Sequence, residues 1–261
     1  MTSQYARAGV KLIRKAHDFF YYKCPESWRG TLDYYYNRPH YRTPFGGAFN
    51  GQQFRRLIFN ELLVLFPFDS LVETGTYTGN TTDYMSEHVV CPIYSVEQST
   101  QFYQYSKLRL RHRAHVHLAQ ADSRTFLTYL VDSENASKRL TFFYLDAHWN
   151  ADLPLADELQ IIFDGWEDPV VMIDDFQVPG DSGYFFDDYG PGAALTLDYL
   201  PKSVLSQCSV FFPNTPSTNE TGDRKRGCVV LAKQVGAAKG IRQAHYLREY
   251  TPVNRSSKSC L

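Results

Sequence analysis

Residues 71–97, LVETGTYTGNTTDYMSEHVVCPIYSVE, carry the pattern that decides the fold of this chain. A short apolar run ends in an acid, Glu73, and is followed by a turn that holds Gly75 and Gly79. Polar residues then open a helical stretch, and a second apolar run ends in another acid, Glu97. A strand, a tight turn, a helix and a second strand in this order are typical of a parallel βαβ unit.

The turn in this unit predicts a bound ligand. Glycine lets the backbone approach a ligand closely, and the first N–H groups of the following helix lack helical partners. Thr78, Asn80 and Thr81 are candidate caps of that helix. Glu97, at the carboxyl end of the next strand, is positioned to accept hydrogen bonds from the two hydroxyls of a ribose. The pattern therefore predicts a nucleoside-containing cofactor.

The spacing of the glycines indicates which cofactor binds. A dinucleotide fold uses G-x-G-x-x-G, whereas Glu73, Gly75 and Gly79 form E-x-G-x-x-x-G. This pattern resembles motif I of the class I S-adenosylmethionine-dependent methyltransferases, and the resemblance covers about residues 52–233. It implies that S-adenosylmethionine is the cofactor. A glycine-containing turn without a ligand is the alternative interpretation.

The resemblance also implies where the cofactor is held. It assigns Glu97 to the ribose and Asp122 to the adenine amino group. Asp122 is equally well suited to cap the helix that follows it, and the two roles do not exclude each other. The predicted cofactor-binding residues are Glu73, Gly75, Thr76, Tyr77, Gly79, Asn80, Thr81, Glu97, Gln98, Asp122, Ser123 and Asp146.

Apolar runs alternate with helical periodicity over the rest of the chain. Helices are predicted from Gln52 to Leu65, at 78–88, 100–109, 123–130, from a cap at Asp152 with Pro154 in the first turn, and near 193–200. Further strands are predicted at 116–122, 141–148, 169–176, 209–213 and 228–233, the last two as a hairpin with an antiparallel end strand. The resemblance implies a Rossmann-like α/β fold with a mostly parallel, seven-stranded sheet and helices on both faces.

Three regions are predicted from the composition along the chain. Residues 1–50 form an N-terminal extension, with an amphipathic helix at 5–22 and then an irregular aromatic stretch. This extension is predicted either to cover a substrate cleft or to act as an arm in a homodimer. Residues 51–240 form the methyltransferase domain, and residues 241–261 form a C-terminal tail.

Three aspartates form a second group at the ends of two predicted neighbouring strands. Asp146 ends one strand, and the pair Asp174 and Asp175 ends the next. Oxygen ligands in such a group suit Mg²⁺ or another hard divalent cation. YLDAHW and MIDDF are similar to the corresponding motifs of metal-dependent O-methyltransferases, in which a metal orients the acceptor and lowers the pKa of its hydroxyl. Helix caps and ion pairs are the alternative roles for these acids.

The predicted catalytic residues are Asp146 and His148. His148 is a candidate general base because the pKa of a neutral imidazole lies near neutral pH. The catechol-type branch has a lysine at the position of Trp149, so its base is not inherited here. The loop at 178–192 offers Asp181, Tyr184, Asp187, Asp188 and Tyr189 for recognition of hydroxyl groups.

Composition limits the classes of partner. A net charge of −1 gives no basic footprint for nucleic acid, and the charged stretches at 109–115 and 223–226 are predicted to be solvated. No apolar run approaches membrane-spanning length. Five scattered cysteines without a C-x-x-C pair indicate a reducing, cytoplasmic environment.

These observations predict a metal-assisted, S-adenosylmethionine-dependent O-methyltransferase that modifies a hydroxyl of a small polar acceptor, such as a sugar or a glycosylated metabolite. Two alternatives remain at this point. One is an oxidoreductase that uses a nicotinamide or nucleotide-sugar ligand, and the other is a non-catalytic cofactor-binding protein.

Overall fold

The computed structural model describes residues 20–36, 41–134, 136–147, 152–221 and 224–251. Its strands are β1 Ser70–Thr74, β2 Ile93–Glu97, β3 Val116–Gln120, β4 Leu140–Leu145, β5 Asp168–Ile173, β6 Cys208–Pro213, β7 Val229–Lys233 and β8 Leu247–Glu249. Its helices are α1 Glu26–Tyr35, α2 Gln53–Leu65, α3 Asn80–His88, α4 Thr100–Leu110, α5 Ser123–Asp132, α6 Leu155–Gly165, α7 Lys202–Leu205 and α8 Ala238–Ile241.

The strands form one sheet in the order β3-β2-β1-β4-β5-β7-β6-β8. Strands β1 to β5 are parallel, β7 runs antiparallel to β5 and β6, and β8 runs antiparallel to β6. The predicted α/β fold and the antiparallel hairpin are confirmed. The sheet has eight strands rather than the implied seven, because Leu247–Glu249 pairs with the outer edge of β6.

The core lies on both faces of the sheet, as the predicted fold requires. On one face, Val72 and Phe143 pack with the inner residues of α5 and α6, such as Leu127 and Leu159. On the other face, a second set packs against α2 and α3, and its central members are Ile58, Phe59, Leu71, Met85 and Phe142. The central strands β4 and β5 are buried almost throughout, which explains why their sequences are continuously apolar.

Two predictions about local structure are wrong. The sequence predicts an irregular stretch after Pro25, but its first ten residues form α1, which packs against α4. Gly30 makes this close approach possible, since a Cβ atom there would lie 2.1 Å from the carbonyl oxygen of Gln101. The helix predicted near 193–200 is replaced by a short 3₁₀ turn, Leu197–Tyr199, and by α7.

Among the described residues, no helix combines the length and the apolar character needed to cross a membrane. The predicted helix at 5–22 lies almost entirely outside the described residues.

Candidate active site

The glycine turn lies between β1 and α3, at the carboxyl edge of the sheet. The N–H groups of Gly75 and Thr76 both donate to the carbonyl oxygen of Val96, at 3.1 Å each, which fixes the turn against β2. Gly75 has a φ of +86°, and a Cβ atom there would lie 2.4 Å from the carbonyl oxygen of Asp146. Tyr77 follows with a φ of +49°, a backbone conformation that is uncommon outside glycine. The turn is therefore tight and also touches the end of β4.

Glu97 closes the other side of the turn. Its carboxylate accepts hydrogen bonds from the Tyr77 N–H at 2.7 Å and from the Ser99 N–H at 2.8 Å. Burial raises the pKa of Glu97, and these backbone donors oppose that rise. Each carboxylate oxygen has a further lone pair. Glu97 can thus hold the turn and still accept from a ligand hydroxyl.

One cleft of about 1290 Å³ opens along this edge. Seven of the predicted cofactor-binding residues line it: Gly75, Tyr77, Glu97, Gln98, Asp122, Ser123 and Asp146. The aromatic rings of Phe45, Tyr77 and Phe102 also line it, and the centroids of Tyr77 and Phe102 are 4.3 Å apart. This end of the cleft combines apolar ring faces with polar edges, as a nucleoside site requires.

The other five predicted residues lie behind the lining of the cleft: Glu73, Thr76, Gly79, Asn80 and Thr81. Glu73 is buried, and its Oε2 accepts hydrogen bonds from the hydroxyls of Thr82 and Ser95. Burial raises the pKa of Glu73 to about 7. Thr82 lies in α3 and Ser95 in β2, so Glu73 joins the end of β1 to both of these elements.

The predicted side-chain cap of α3 is wrong. The N-cap residue is Gly79, with a φ of +75° and no side-chain cap. The Asn80 side chain donates to the Thr78 hydroxyl, while the Thr81 hydroxyl accepts from the Phe49 N–H at 3.0 Å. Thr81 therefore connects the start of α3 to the segment that precedes α2.

Asp122 caps α5, because its side chain accepts from the N–H groups of Arg124 and Thr125. Its hydrogen bonds to the Arg124 guanidinium lower its pKa. Asp122 also lines the cleft, so its role as a cap does not exclude the predicted contact with the adenine amino group. The predicted cap at Asp152 is wrong: Pro154 is the N-cap of α6, and Asp152 pairs with Arg124 at 2.8 Å.

The second group of acids meets at the adjoining part of the edge. Carboxylate oxygens of Asp146, Asp174 and Asp175 all lie within 4.8 Å of one another. Asp146 and Asp175 line the cleft, whereas Asp174 is fully buried behind them. Burial, reinforced by the neighbouring carboxylates, raises the pKa of both Asp146 and Asp175 well above the ordinary range.

The Asp174 carboxylate is saturated by protein donors. Its Oδ1 pairs with the Arg55 guanidinium and accepts from the Asp175 N–H at 2.6 Å. Its Oδ2 accepts from the Tyr144 hydroxyl at 2.5 Å and from the Asn50 side-chain amide at 2.7 Å. Two contacts at each oxygen use the ordinary acceptor capacity of a carboxylate. A cation in the cleft would therefore meet Asp146 and Asp175, not Asp174.

The donor set facing the cleft suits a hard cation. Asp146 and Asp175 offer carboxylate oxygens, and the three acids outnumber the two guanidinium groups beside them, Arg55 and Arg226. A divalent cation with oxygen ligands would stabilise the ionised form of such crowded carboxyl groups. His148, the predicted base, and Trp149 lie outside the described residues, so their roles stay predictions.

Solved structures with a similar fold include methyltransferases. The O-methyltransferase TomG from Streptomyces achromogenes, involved in tomaymycin synthesis and solved with S-adenosylmethionine, matches with a TM-score of 0.52 and 11% sequence identity, over 81% of this chain and 90% of that one. The chain has the class I methyltransferase fold. An O-methyltransferase from Bacillus cereus, solved with S-adenosylhomocysteine, matches with a TM-score of 0.48 and 11% identity, over 69% of this chain and 81% of that one. By sequence, no family model and no curated protein matches.

Several polar residues that line the cleft of this fold are not predicted from the sequence. Arg224 and Arg226 were assigned to a solvated loop, yet both line the cleft, as do Asn50 and Gln52. Asn50 has a φ of +52°, and its amide contacts Asp146 at 3.3 Å as well as Asp174. The one signal in the sequence was the Gly-Gly and Asn-Gly pairs at 46–51, which are typical of unusual backbone conformations.

Proposed function

We propose that this chain is an S-adenosylmethionine-dependent O-methyltransferase that acts on a hydroxyl of a small polar acceptor. The observation that carries the proposal is the continuity of a single cleft. It is lined by the glycine turn and Glu97 at one end and by Asp146 and Asp175 at the other. Gly75 touches the backbone of Asp146, so a cofactor bound at the turn would end beside the acids.

In the proposed reaction, the sulfonium methyl group passes to an acceptor oxygen, the S–C bond breaks as the O–C bond forms, and the hydroxyl proton goes to a base. The fixed backbone of the turn and the Glu97 carboxylate would hold the nucleoside and align its methyl group. His148 stays the predicted base. Acidic and tyrosyl groups at the acceptor end, such as Asp187 and Tyr189, would accept and donate hydrogen bonds to further hydroxyls.

A divalent cation such as Mg²⁺ is part of the proposal. Asp146 and Asp175 would hold it, with Asp174 and Arg55 fixing the geometry from behind. When bound, the cation would favour the deprotonated form of an acceptor hydroxyl.

Calorimetric titration with S-adenosylhomocysteine and with NAD, each with and without Mg²⁺, tests the cofactor class. We expect binding of S-adenosylhomocysteine and none of NAD. Transfer of a radiolabelled methyl group from S-adenosylmethionine to a panel of sugars and glycosides then tests the reaction. Binding of NAD alone would contradict the proposal, and undiminished transfer in excess chelator would remove the cation from it.

A further inference from the structure

The loop at 224–226 is fixed beside the acids by buried polar groups. The Gln52 side chain is almost fully buried, donates to the Arg224 carbonyl oxygen at 2.8 Å and accepts from the Arg226 N–H at 3.1 Å. Arg55 donates to the Arg226 carbonyl oxygen at 3.0 Å. The backbone of this loop is thus held on both sides of Arg226, and both loop arginines line the cleft.

The contacts of a single nitrogen, Nη1, orient the Arg226 side chain. Nη1 pairs with Asp187 and lies 3.4 Å from Asp175. Asp187 is held in turn, because its Oδ2 accepts from the Tyr189 hydroxyl at 2.6 Å and its N–H donates to the Asp175 carbonyl oxygen at 2.9 Å. The guanidinium is therefore preorganised before any acceptor arrives.

The edge of the Arg226 guanidinium that carries Nε and Nη2 can bind a ligand. In the described part of the chain, no acceptor pairs with Nε or Nη2 of Arg226. These two nitrogens form a planar fork that matches the two oxygens of a carboxylate. Arg224, which is exposed, also pairs with no carboxylate among the described residues, so a second positive charge lies at the same end of the cleft.

We propose that the acceptor carries a carboxylate in addition to its reactive hydroxyl, and that Arg226 binds this carboxylate side-on with Arg224 as a second charge. Hydroxylated carboxylic acids such as uronic acids or dihydroxybenzoates have the required chemistry. The inference rests on the proposed function, because it assigns the acceptor end of the same cleft. It also explains why arginines accompany the acids at this end of the cleft.

The test uses matched pairs of probes with protein saturated by S-adenosylhomocysteine. D-glucuronate is compared with D-glucose, and 3,4-dihydroxybenzoate with 3,4-dihydroxybenzamide, by calorimetric titration. We expect at least one carboxylate to bind about tenfold or more tightly than its neutral partner, the effect of a charge-assisted bidentate pair. Binding of neither member of any pair, or equal binding of both, would overturn the proposal.

Two variants identify the residues. Arg226→Lys keeps the charge beside Asp187 but lacks the planar fork, and Arg224→Gln removes only the second charge. Both should reduce the preference for the carboxylate several-fold while leaving S-adenosylhomocysteine affinity unchanged. Arg139→Gln is the control, because Arg139 is exposed next to the start of β4, at the opposite edge of the sheet. A preference that survives both substitutions would also overturn the proposal. If the unmodified protein did not bind S-adenosylhomocysteine, the proposed function itself would be contradicted.

Discussion

Gly75 and Asp146 meet through their backbones at the ends of neighbouring strands. A Cβ atom on Gly75 would lie 2.4 Å from the carbonyl oxygen of Asp146 and 3.0 Å from the N atom of Ala147. These neighbours are backbone atoms, which cannot move aside as a flexible side chain would. This contact joins the cofactor turn to the acid group. The distance between the turn and the acids therefore depends on the absence of a side chain at Gly75.

Gly75→Ala should therefore impair cofactor binding. We expect the affinity for S-adenosylhomocysteine to fall by at least about tenfold, or ~1.4 kcal/mol, measured by calorimetric titration. Gly180→Ala is a matched control, since Gly180 has a φ of +84°, close to the +86° of Gly75, but nothing lies within 4 Å of its added Cβ. Equal losses in the two variants would contradict a specific role of the contact between Gly75 and Asp146 in cofactor binding.

Glu97→Gln should also weaken cofactor binding. Both carboxylate oxygens accept from backbone N–H groups, of Tyr77 and of Ser99. A glutamine offers one acceptor oxygen, so its amide group would face one of these donors. We expect an affinity loss of about 1–3 kcal/mol in the same titration, with the exposed Glu134→Gln as control. Unchanged affinity would show that Glu97 does not support the cofactor site.

Much of the fold could be predicted from local sequence because the strands are apolar runs that end in acids. The observed β2 ends at the predicted acid Glu97, and the strands that precede Asp146 and Asp174 are parallel neighbours, as the sequence predicts. Parallel pairing carries this information, since it places strand ends together whatever their separation in the chain. β8 was missed because it has only three residues, at the outer edge of the sheet.

The arginines that contact the three aspartates could not be predicted in the same way. Arg55 lies on a helix whose sequence indicates only an amphipathic surface, and it reaches Asp174 across more than one hundred residues of chain. Nothing in its local pattern distinguishes a fully buried arginine from a solvated one. The same holds for Arg226, whose loop is typical of a solvated turn until Gln52 and Arg55 fix it.

The two adjacent aspartates should differ in their effect on stability. Asp174→Asn removes the closest anionic partner of the buried Arg55 and turns an amide group toward donors, so the free energy of unfolding should fall by about 3–5 kcal/mol. Asp175→Asn should cost less than about 1 kcal/mol, because burial and neighbouring carboxylates already disfavour its ionised form. Chemical denaturation measures both values. A larger loss for Asp175→Asn would contradict the assignment of Asp174 as the structural member of the pair.

Asp175, whose loss should cost little stability, should instead be important for cation affinity. Mn²⁺ is a paramagnetic probe for a Mg²⁺ site, and its affinity can be measured by water-proton relaxation in the absence of an acceptor. We expect Asp175→Asn and Asp146→Asn each to lower that affinity at least about tenfold, because both residues line the cleft. Asp132→Asn, at an exposed site outside the cleft, is the control. Equal affinity in the unmodified protein and both variants would exclude these two carboxylates as ligands.

Glu73 should make the stability of the protein depend on pH. Burial raises its pKa from an ordinary value of 4.5 to about 7. Between these values the folded protein keeps a proton that the unfolded chain has lost, so the contribution of Glu73 to stability falls as the pH rises through this window. In the Glu73→Gln variant the side chain does not titrate in this range, but its carbonyl oxygen can still accept from Thr82 and Ser95. From pH 5 to pH 8 the unfolding free energy of the variant, relative to the unmodified protein, should therefore rise by up to about 3 kcal/mol. Denaturation at both pH values measures the change, and Glu134→Gln, at an exposed site, should show none. A difference that stays constant across the window would mean that Glu73 is ionised in the folded state throughout.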